Sequence, residues 1–248
     1  MFQQIKVRHI SEEIFDQIRS AILEGKLKPG EKLPTERELM SEMGVSRVPI
    51  REALKLLATM GFVETKQGGG SYVRSLVTDR VRDPLNQIIK DNLHKIFELL
   101  EVRKEIETWS AYRAAQRASA DDITALAQIM DKTRIYFEKK KMPPTELDAD
   151  FHIAIAHCSN NTIQAHLAYT IHEIFKEYFD FLTKNICFNK KYQQAIYDQH
   201  FAIYDAVRRR RPQDARKRMM EHLKFVDEEL RRQTGKVAGK QGKKTGTR

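Results

Sequence analysis

The chain has 248 residues, a formal net charge of +10 and two cysteines. This length is sufficient for two domains, each with a core of its own. Cys158 and Cys187 lie far apart and neither has a CxxC partner, which argues against a disulfide framework or a thiolate zinc site and favours the reducing cytoplasm. The start has no signal-peptide core, and no apolar run reaches about 18 residues, so we expect neither export nor a membrane span.

The positive charge is distributed unevenly along the chain. Residues 231–248 contain seven Lys or Arg and no acid, whereas residues 1–75 contain twelve basic and ten acidic side chains. The net charge therefore does not by itself indicate that the N-terminal part binds nucleic acid. If this part binds DNA, it must use individually placed side chains rather than a diffuse positive field.

The N-terminal part begins with two predicted helices. Apolar residues recur at helical spacing from His9 to Leu23, which predicts an amphipathic helix that ends near Gly25. In the segment PTEREL, Thr35 can cap the next helix while Glu38 reaches back to the cap amide. This reciprocal capping box predicts that the second helix begins directly after Thr35.

A third helix and a hairpin follow. Gly44 is predicted to end the second helix, and Ser46 to cap a third helix that tolerates Pro49 in its first turn. Helix, short turn and helix form the helix-turn-helix layout. The strand-like segments 62–65 and 71–73 flank a run of three glycines, which predicts a β-hairpin wing.

The remainder of the chain is predicted to be helical. Paired charges and Pro84 predict a linker at residues 76–84. The helical periodicity then covers residues 85–117, 121–140, 145–159, 161–186, 190–210 and 213–232. We therefore expect a mainly α protein: a winged helix-turn-helix at 1–75, an all-α bundle of six or seven helices at 85–232, and a disordered basic tail at 233–248.

The third helix carries side chains suited to recognising bases in DNA. Arginine can bind guanine bidentately in the major groove, and Arg47 and Arg51 are four residues apart on one helix face. Arg37, near the start of the preceding helix, is placed to contact phosphate. In isolation, two such arginines more often form a solvated helix face; the capped helix before them and the glycine wing after them favour DNA binding.

The stretch from Gly25 to Val73 resembles the DNA-binding domain of the GntR family of bacterial transcription regulators. The resemblance implies double-stranded operator DNA as the partner. The residues that match the family's DNA-contacting positions are Arg37, Ser46, Arg47, Arg51, Gln67 and Gly68. Val48 and Pro49 occupy two further contact positions without offering side-chain hydrogen bonds, so the operator sequence stays open.

The helical part contains candidate metal ligands. Asp148 and His152 are four residues apart and share a helix face, which suits a pair of oxygen and nitrogen ligands. His200 and His222 lie on two later helices, and their spacing alone cannot bring all four together. A single histidine is more often a packed or surface residue than a ligand. Among the other histidines, His172 is the strongest candidate for a further role.

The patterns DADFH…NN and QHFAIYDAVRRRRPQDARKRMMEHL resemble the FadR-like ligand-binding domain, FCD, over roughly residues 85–230. The resemblance implies that Asp148, His152, His200 and His222 bind a divalent transition metal, zinc by expectation, which helps to hold a small carboxylate or sugar-acid effector. It also places Arg103 and Asn161 at effector-binding positions. Two alternatives stay open: Arg103 can pair with Glu107 on its own helix, and Asn161 can cap the helix that follows.

The two resemblances together predict a cytoplasmic, homodimeric transcription regulator rather than an enzyme. Its operator affinity would respond to the effector, and repression relieved by the effector is the commoner behaviour in this family. Two alternatives to metal-assisted sensing remain: a purely structural metal site, or a metal-dependent hydrolase that uses a bound water as nucleophile.

Overall fold

The computed structural model describes residues 10–66, 69–75, 79–92, 94–139, 141, 143–183 and 190–242. The architecture is mainly α, as predicted. An N-terminal winged helix-turn-helix precedes a bundle that has seven helices among the described residues. Within the same residues, no helix is both long and apolar enough to span a bilayer.

The N-terminal unit contains three helices and a hairpin. Its elements are α1 (Ile10–Leu23), α2 (Glu36–Met43), α3 (Arg47–Thr59), β1 (Val63–Lys66) and β2 (Gly70–Val73). The apolar faces of the three helices close over one core, in which Ile22, Ile50 and Leu57 are fully buried. This core fixes the position of α3 relative to α2 and the hairpin.

The helix caps agree with the sequence at α2 but not at α3. Thr35 and Glu38 form the predicted capping box. Ser46 is the N-cap residue of α3, yet its side chain makes no capping hydrogen bond. A cap hydroxyl accepts from the second or third amide of the helix, and the third position here is Pro49, which has no N–H. The Ser46 hydroxyl is therefore exposed and not engaged in capping.

The hairpin forms the predicted wing. Strands β1 and β2 are antiparallel, with Val63 opposite Val73 and Lys66 opposite Gly70. The segment before α2 runs along the other edge of β2, where the amide of Leu33 donates to the carbonyl of Ser71 over 2.8 Å. The tip residues Gln67 and Gly68 lie outside the described residues.

The bundle consists of α4 (Asp79–Asp91), α5 (Lys95–Arg117), α6 (Ala120–Glu138), α7 (Thr145–Cys158), α8 (Thr162–Thr183), α9 (Lys190–Arg208) and α10 (Pro212–Gly242). Helix α5 packs against α7, α8, α9 and α10. Two apolar clusters surround it; one contains Phe151 and Leu223, and the other contains Leu100 and Leu230. Side chains from α5 consequently reach the centre of the bundle.

Two boundaries at the start of the bundle differ from the predicted ones. Helix α4 begins at Asp79, so the predicted linker at 76–84 is helical from residue 79 onward and includes Pro84. Pro84 cannot donate to the carbonyl of residue 80, and its ring crowds that carbonyl, so the proline weakens the helix locally without ending it. The predicted helix 85–117 is divided near Asn92, whose side-chain oxygen accepts from the amide of His94 over 3.1 Å and competes with the helical bond.

The C-terminal end also differs from the prediction. Helix α10 continues to Gly242, whereas disorder was predicted from residue 233. Once a helix is nucleated, each further residue adds a hydrogen bond at little cost. Thr234 supports the continuation, because its hydroxyl donates to the carbonyl of Leu230 over 2.9 Å. Residues 243–248 lie outside the described residues.

Polar contacts connect the N-terminal unit with the bundle. Lys28 Nζ lies 3.4 Å from Asp122 Oδ1 at the start of α6. Ser75, just after β2, donates its hydroxyl to the carbonyl of His166 over 3.0 Å and lies 2.8 Å from the hydroxyl of Thr170. Helix α8 therefore contacts the chain where it leaves the wing.

Candidate nucleic-acid interface and metal centre

Helix α3 presents a polar face to solvent. The side chains of Arg47 and Arg51 are 67% and 68% exposed, while Ile50 and Leu57 on the opposite face are buried in the core. Ser46 precedes them at the exposed N-cap. The predicted DNA-contacting residues of α3 therefore lie together and are accessible.

One carboxylate of α2 faces both arginines. Arg47 Nε lies 2.6 Å from Glu36 Oε2, and Arg51 Nε lies 3.7 Å from Glu36 Oε1. Glu36 is the first residue of α2, and the exposed Arg37 follows it. Glu36 could not be singled out from the sequence, because its relation to α3 depends on how the two helices pack.

Three histidine side chains converge inside the bundle. His152 of α7, His200 of α9 and His222 of α10 are all buried. His222 Nε2 lies 3.2 Å from His152 Nε2 and 3.4 Å from His200 Nε2. Two imidazole nitrogens bound tetrahedrally to zinc at about 2.0–2.1 Å would be about 3.3 Å apart. The three rings thus have the spacing of metal ligands.

The oxygen atoms behind two of the rings support the same interpretation. His222 Nδ1 lies 2.9 Å from the side-chain oxygen of Gln199, and His152 Nδ1 lies 2.5 Å from Glu107 Oε2. Each Nδ1 must carry its proton to face an oxygen at that distance, so in the neutral rings both Nε2 atoms present lone pairs. Two lone pairs directed at each other repel unless a cation lies between them. The residues therefore fit a metal ion.

Burial keeps the rings of His200 and His222 in the neutral form. Burial lowers the pKa of His200 and of His222 well below the ordinary value, and the neighbouring imidazoles lower it further. A neutral imidazole is the form that binds a metal. These histidines can therefore accept a metal at neutral pH without first losing a proton.

Asp148 lies at the edge of this histidine cluster. It stands one helical turn before His152 on α7, and its Oδ1 is 3.6 Å from His200 Nε2. Its side chain is 44% exposed, in contrast to the three buried histidines. The structure thus brings the three histidines together, and Asp148 lies beside one of them, His200, on the solvent side.

Behind His152 lies Glu107, which the sequence analysis considered only as a partner of Arg103. Glu107 Oε1 lies 2.7 Å from Arg103 Nε and 3.0 Å from His172 Nε2, and all of these side chains are buried. The contacts of Glu107 with His152 and His172 are close polar contacts that do not have hydrogen-bond geometry. Burial alone would raise the pKa of Glu107, but the guanidinium of Arg103, together with the adjacent rings of His152 and His172, holds it well below its usual range.

A small cavity opens beside the histidines. Its volume is about 50 Å³, and its lining includes Arg103, Asp148, His200 and His222. Arg103 is fixed there by its ion pair with Glu107 and by stacking of the guanidinium 4.2 Å from the Phe175 ring centroid. Arg103 therefore forms the intrahelical pair and borders the cavity at the same time.

Asn161 is not part of this cavity. Its side-chain oxygen accepts from the amide of Gln164 over 3.1 Å, which caps α8. It lines a different cleft, between the bundle and the N-terminal unit, together with Lys28 and Asp122. The structure therefore places Asn161 where the capping alternative expects it, and away from the histidines.

Comparison with known proteins identifies both halves of the chain. Residues 10–73 match the family model described as "Bacterial regulatory proteins, gntR family", and residues 98–225 match that of the FCD domain. The HTH-type transcriptional regulator LutR of Bacillus subtilis is 33% identical over 218 residues, 84% of this chain and 95% of LutR. The Glc operon transcriptional activator of Escherichia coli is 32% identical over 232 residues, 90% and 89% of the two chains.

A solved structure has the same overall arrangement. The Streptococcus agalactiae GntR protein is similar with a TM-score of 0.54 and 26% sequence identity, covering 88% of this chain and 99% of that one. The likeness extends over both the N-terminal unit and the helical bundle.

Proposed function

Because the chain belongs to the GntR family of bacterial transcription regulators and carries an FCD domain, we propose that a small carboxylate bound at a metal-containing pocket controls its affinity for operator DNA. In this proposal, residues 1–75 bind DNA and residues 85–232 sense the effector. The observation that carries it is the convergence of three buried histidine Nε2 atoms beside a cavity bordered by an arginine.

The proposed DNA contacts are those predicted from the sequence. Arg47 and Arg51 would bind base edges in the major groove, and Arg37 a phosphate. Their exposure supports this assignment. The Ser46 hydroxyl is not used for capping and would contact the DNA backbone or a base. Gln67 and Gly68 of the wing tip complete the proposed set.

The proposed effector site combines the metal with Arg103. His152, His200, His222 and Asp148 would hold the ion, and zinc suits the observed nitrogen spacing. The bound ion would supply positive charge and open coordination positions for an anion. Arg103 at the cavity wall would pair with the carboxylate of the effector, a small carboxylic acid or a sugar acid.

A homodimer is proposed because a two-fold symmetric operator requires two recognition helices. Exposed apolar side chains on α8, including Ile163 at 65% and Leu167 at 41% exposure, support a surface available for a second copy. We propose repression, relieved by the effector, as the mode of control. Light scattering on a sizing column tests the dimer, and a reporter gene placed behind the operator tests the direction of control.

DNA binding is tested with the purified protein and fragments upstream of its own and neighbouring genes. We expect binding that weakens steeply as salt increases. Arg51→Ala should weaken operator binding by about 1–3 kcal/mol and relax specificity at one base pair. Arg134→Ala, which removes an exposed arginine of the bundle, is the matched control. Absence of binding to every fragment, or binding that is insensitive to salt, would contradict the proposed DNA binding.

The effector is sought by screening small carboxylates against zinc-loaded protein. A true effector should raise the melting temperature and change the operator dissociation constant, because only differential affinity for the two states shifts their populations. If zinc stabilises the protein but no acid alters DNA affinity, the metal is structural.

A hydrolase role lacks support in the described residues: Glu107, the buried carboxylate nearest the histidines, is occupied by Arg103 and His172 and has a lowered pKa.

A further inference from the structure

Glu107 and His172 form a buried connection between the histidine cluster and helix α8. We propose that Glu107 is a positioning residue that fixes the ring of His152, and that His172 links Glu107 to α8, so that metal occupancy restrains the helix on which the N-terminal unit is docked. This inference rests on the metal site proposed above and assigns residues that the family resemblance did not supply.

The two carboxylate oxygens of Glu107 face different partners. Oε2 is directed at His152 Nδ1, 2.5 Å away, and Oε1 at Arg103 Nε and His172 Nε2, at 2.7 and 3.0 Å. A carboxylate that accepts from the far nitrogen of a ligating imidazole fixes its tautomer and ring orientation. Arg103 and His172 in turn prevent Glu107 from rotating away from His152.

His172 has a second contact with the same ligand. Its ring stacks on that of His152, with centroids 5.0 Å apart and an interplanar angle of 26°. Its Nε2 also lies 3.0 Å from Glu107 Oε1, and both side chains are buried. His172 therefore contacts His152 directly and is also connected to it through Glu107.

Helix α8 carries this connection to the N-terminal unit. Thr170 lies two residues before His172, and His166 lies one further turn away. Both contact Ser75, which follows the wing strand β2 by two residues. A change in the placement of His172 is consequently transmitted within two turns of one helix to the segment that leaves the wing.

The role of Glu107 is tested by the zinc dissociation constant of the full chain, measured by competition with a chromogenic chelator. We expect Glu107→Met to weaken Zn²⁺ binding about 10- to 100-fold, and Glu107→Gln to recover part of the loss because its amide oxygen still accepts a hydrogen bond. Glu105→Met, an exposed position two residues earlier on α5, is the matched control and should stay within about twofold of wild type.

The buried charge of Arg103 makes Glu107→Met vulnerable to misfolding. Circular dichroism checks the fold of each variant. If the single variant does not fold, the zinc dissociation constant is measured on Arg103→Met/Glu107→Met, which removes both charges together. Replacing a buried ion pair by apolar residues is tolerated far better than removing one partner.

The link to α8 is tested by hydrogen exchange of the amides in residues 162–176, with and without Zn²⁺. In the wild type, Zn²⁺ should slow exchange in this segment, because exchange reports local opening. His172→Phe retains a ring against His152 but has no donor for Glu107, and it should abolish the slowing. His172→Gln, which keeps a donor, should restore part of it.

The outcomes separate this inference from the proposed function. Wild-type zinc affinity in Glu107→Met, or unchanged Zn²⁺-induced slowing in His172→Phe, would overturn the inference and leave the metal site intact. If the wild-type chain bound no Zn²⁺, the proposed metal site would fail and this inference with it.

Discussion

Arg47 and Glu36 form an ion pair across the two helices of the helix-turn-helix, with Nε 2.6 Å from Oε2. Arg51 shares the same carboxylate at 3.7 Å. Both guanidiniums are thus held near one another in the absence of DNA. To bind bases they must exchange Glu36 for DNA, so this carboxylate opposes binding while it keeps the arginines in place.

Glu36→Gln should therefore tighten binding to nonspecific DNA. An exposed ion pair is worth about 0.2–1 kcal/mol, which corresponds to an increase of up to about fivefold. Because the arginines lose their alignment, the ratio of operator to nonspecific affinity should fall. Fluorescence anisotropy with operator and scrambled duplexes measures both constants. Glu42→Gln, an exposed position on the same helix, controls for the charge change; equal effects of the two variants would contradict the prediction.

Gly30 is predicted to be required for docking of the two units. Its φ is +81°, and a Cβ there would lie 2.6 Å from the ring of Tyr169 on α8. Gly44 has a similar φ of +65° but open space around it. Gly44→Ala should lower the free energy of unfolding by about 1 kcal/mol, from backbone strain alone. Gly30→Ala should cause the same strain and lose about 1–3 kcal/mol more, because the added Cβ overpacks against Tyr169.

Urea unfolding of the full chain measures these two costs. The double variant Gly30→Ala/Tyr169→Ala should show a favourable coupling energy, because the clash that Gly30→Ala creates is then absent. Equal destabilisation by Gly30→Ala and Gly44→Ala would show that the contact with Tyr169 is unimportant.

Zinc should stabilise the folded chain. At a free concentration 100 times its dissociation constant, a ligand adds about 2.7 kcal/mol to the free energy of unfolding. For a chain of this size, this raises the melting temperature by roughly 5–10 °C. Addition of EDTA should reverse the shift. His222→Ala should abolish it, whereas His94→Ala at an exposed position should not. A full shift in His222→Ala would exclude this ligand set.

His157 should make stability depend on pH. It lines the cleft between the two units beside Lys28 and Asp122, and burial, together with the charge of Lys28, lowers its pKa to about 3. The unfolded chain binds a proton there below about pH 6.5, but the folded chain does not. The free energy of unfolding should therefore fall as pH decreases from about 6.5 towards 3.

Unfolding measured between pH 6 and 4.5 tests this contribution. His157→Gln should flatten the dependence by up to about 1.4 kcal/mol per pH unit, the effect of one proton. His94→Gln is the exposed control. An unchanged slope in His157→Gln would mean that this ring is protonated equally in both states.

Much of the architecture could be predicted from local patterns. The capping box of Thr35 and Glu38 marked the start of α2, and the glycines after β1 marked the wing, because these signals depend on neighbouring residues. The failures were also local in origin. Pro84 was predicted to lie in a linker and the tail from residue 233 to be disordered, whereas Pro84 and residues 233–242 lie in helices. A helix can contain a proline at the cost of local strain and a hydrogen bond, and it can extend through polar residues once it is nucleated.

The sequence by itself determined the order of elements and the exposed arginine face of α3, since periodicity and capping depend on short segments. The set of four candidate ligands came from the resemblance to the FCD domain. Only the tertiary structure decided that His222 lies within hydrogen-bond distance of both His152 and His200, although the three residues are on separate helices. It also decided that Glu107 and His172 stand behind them, and that Asn161 does not. These relationships depend on how helices pack around α5, and no local spacing encodes the packing of residues that are distant in the chain.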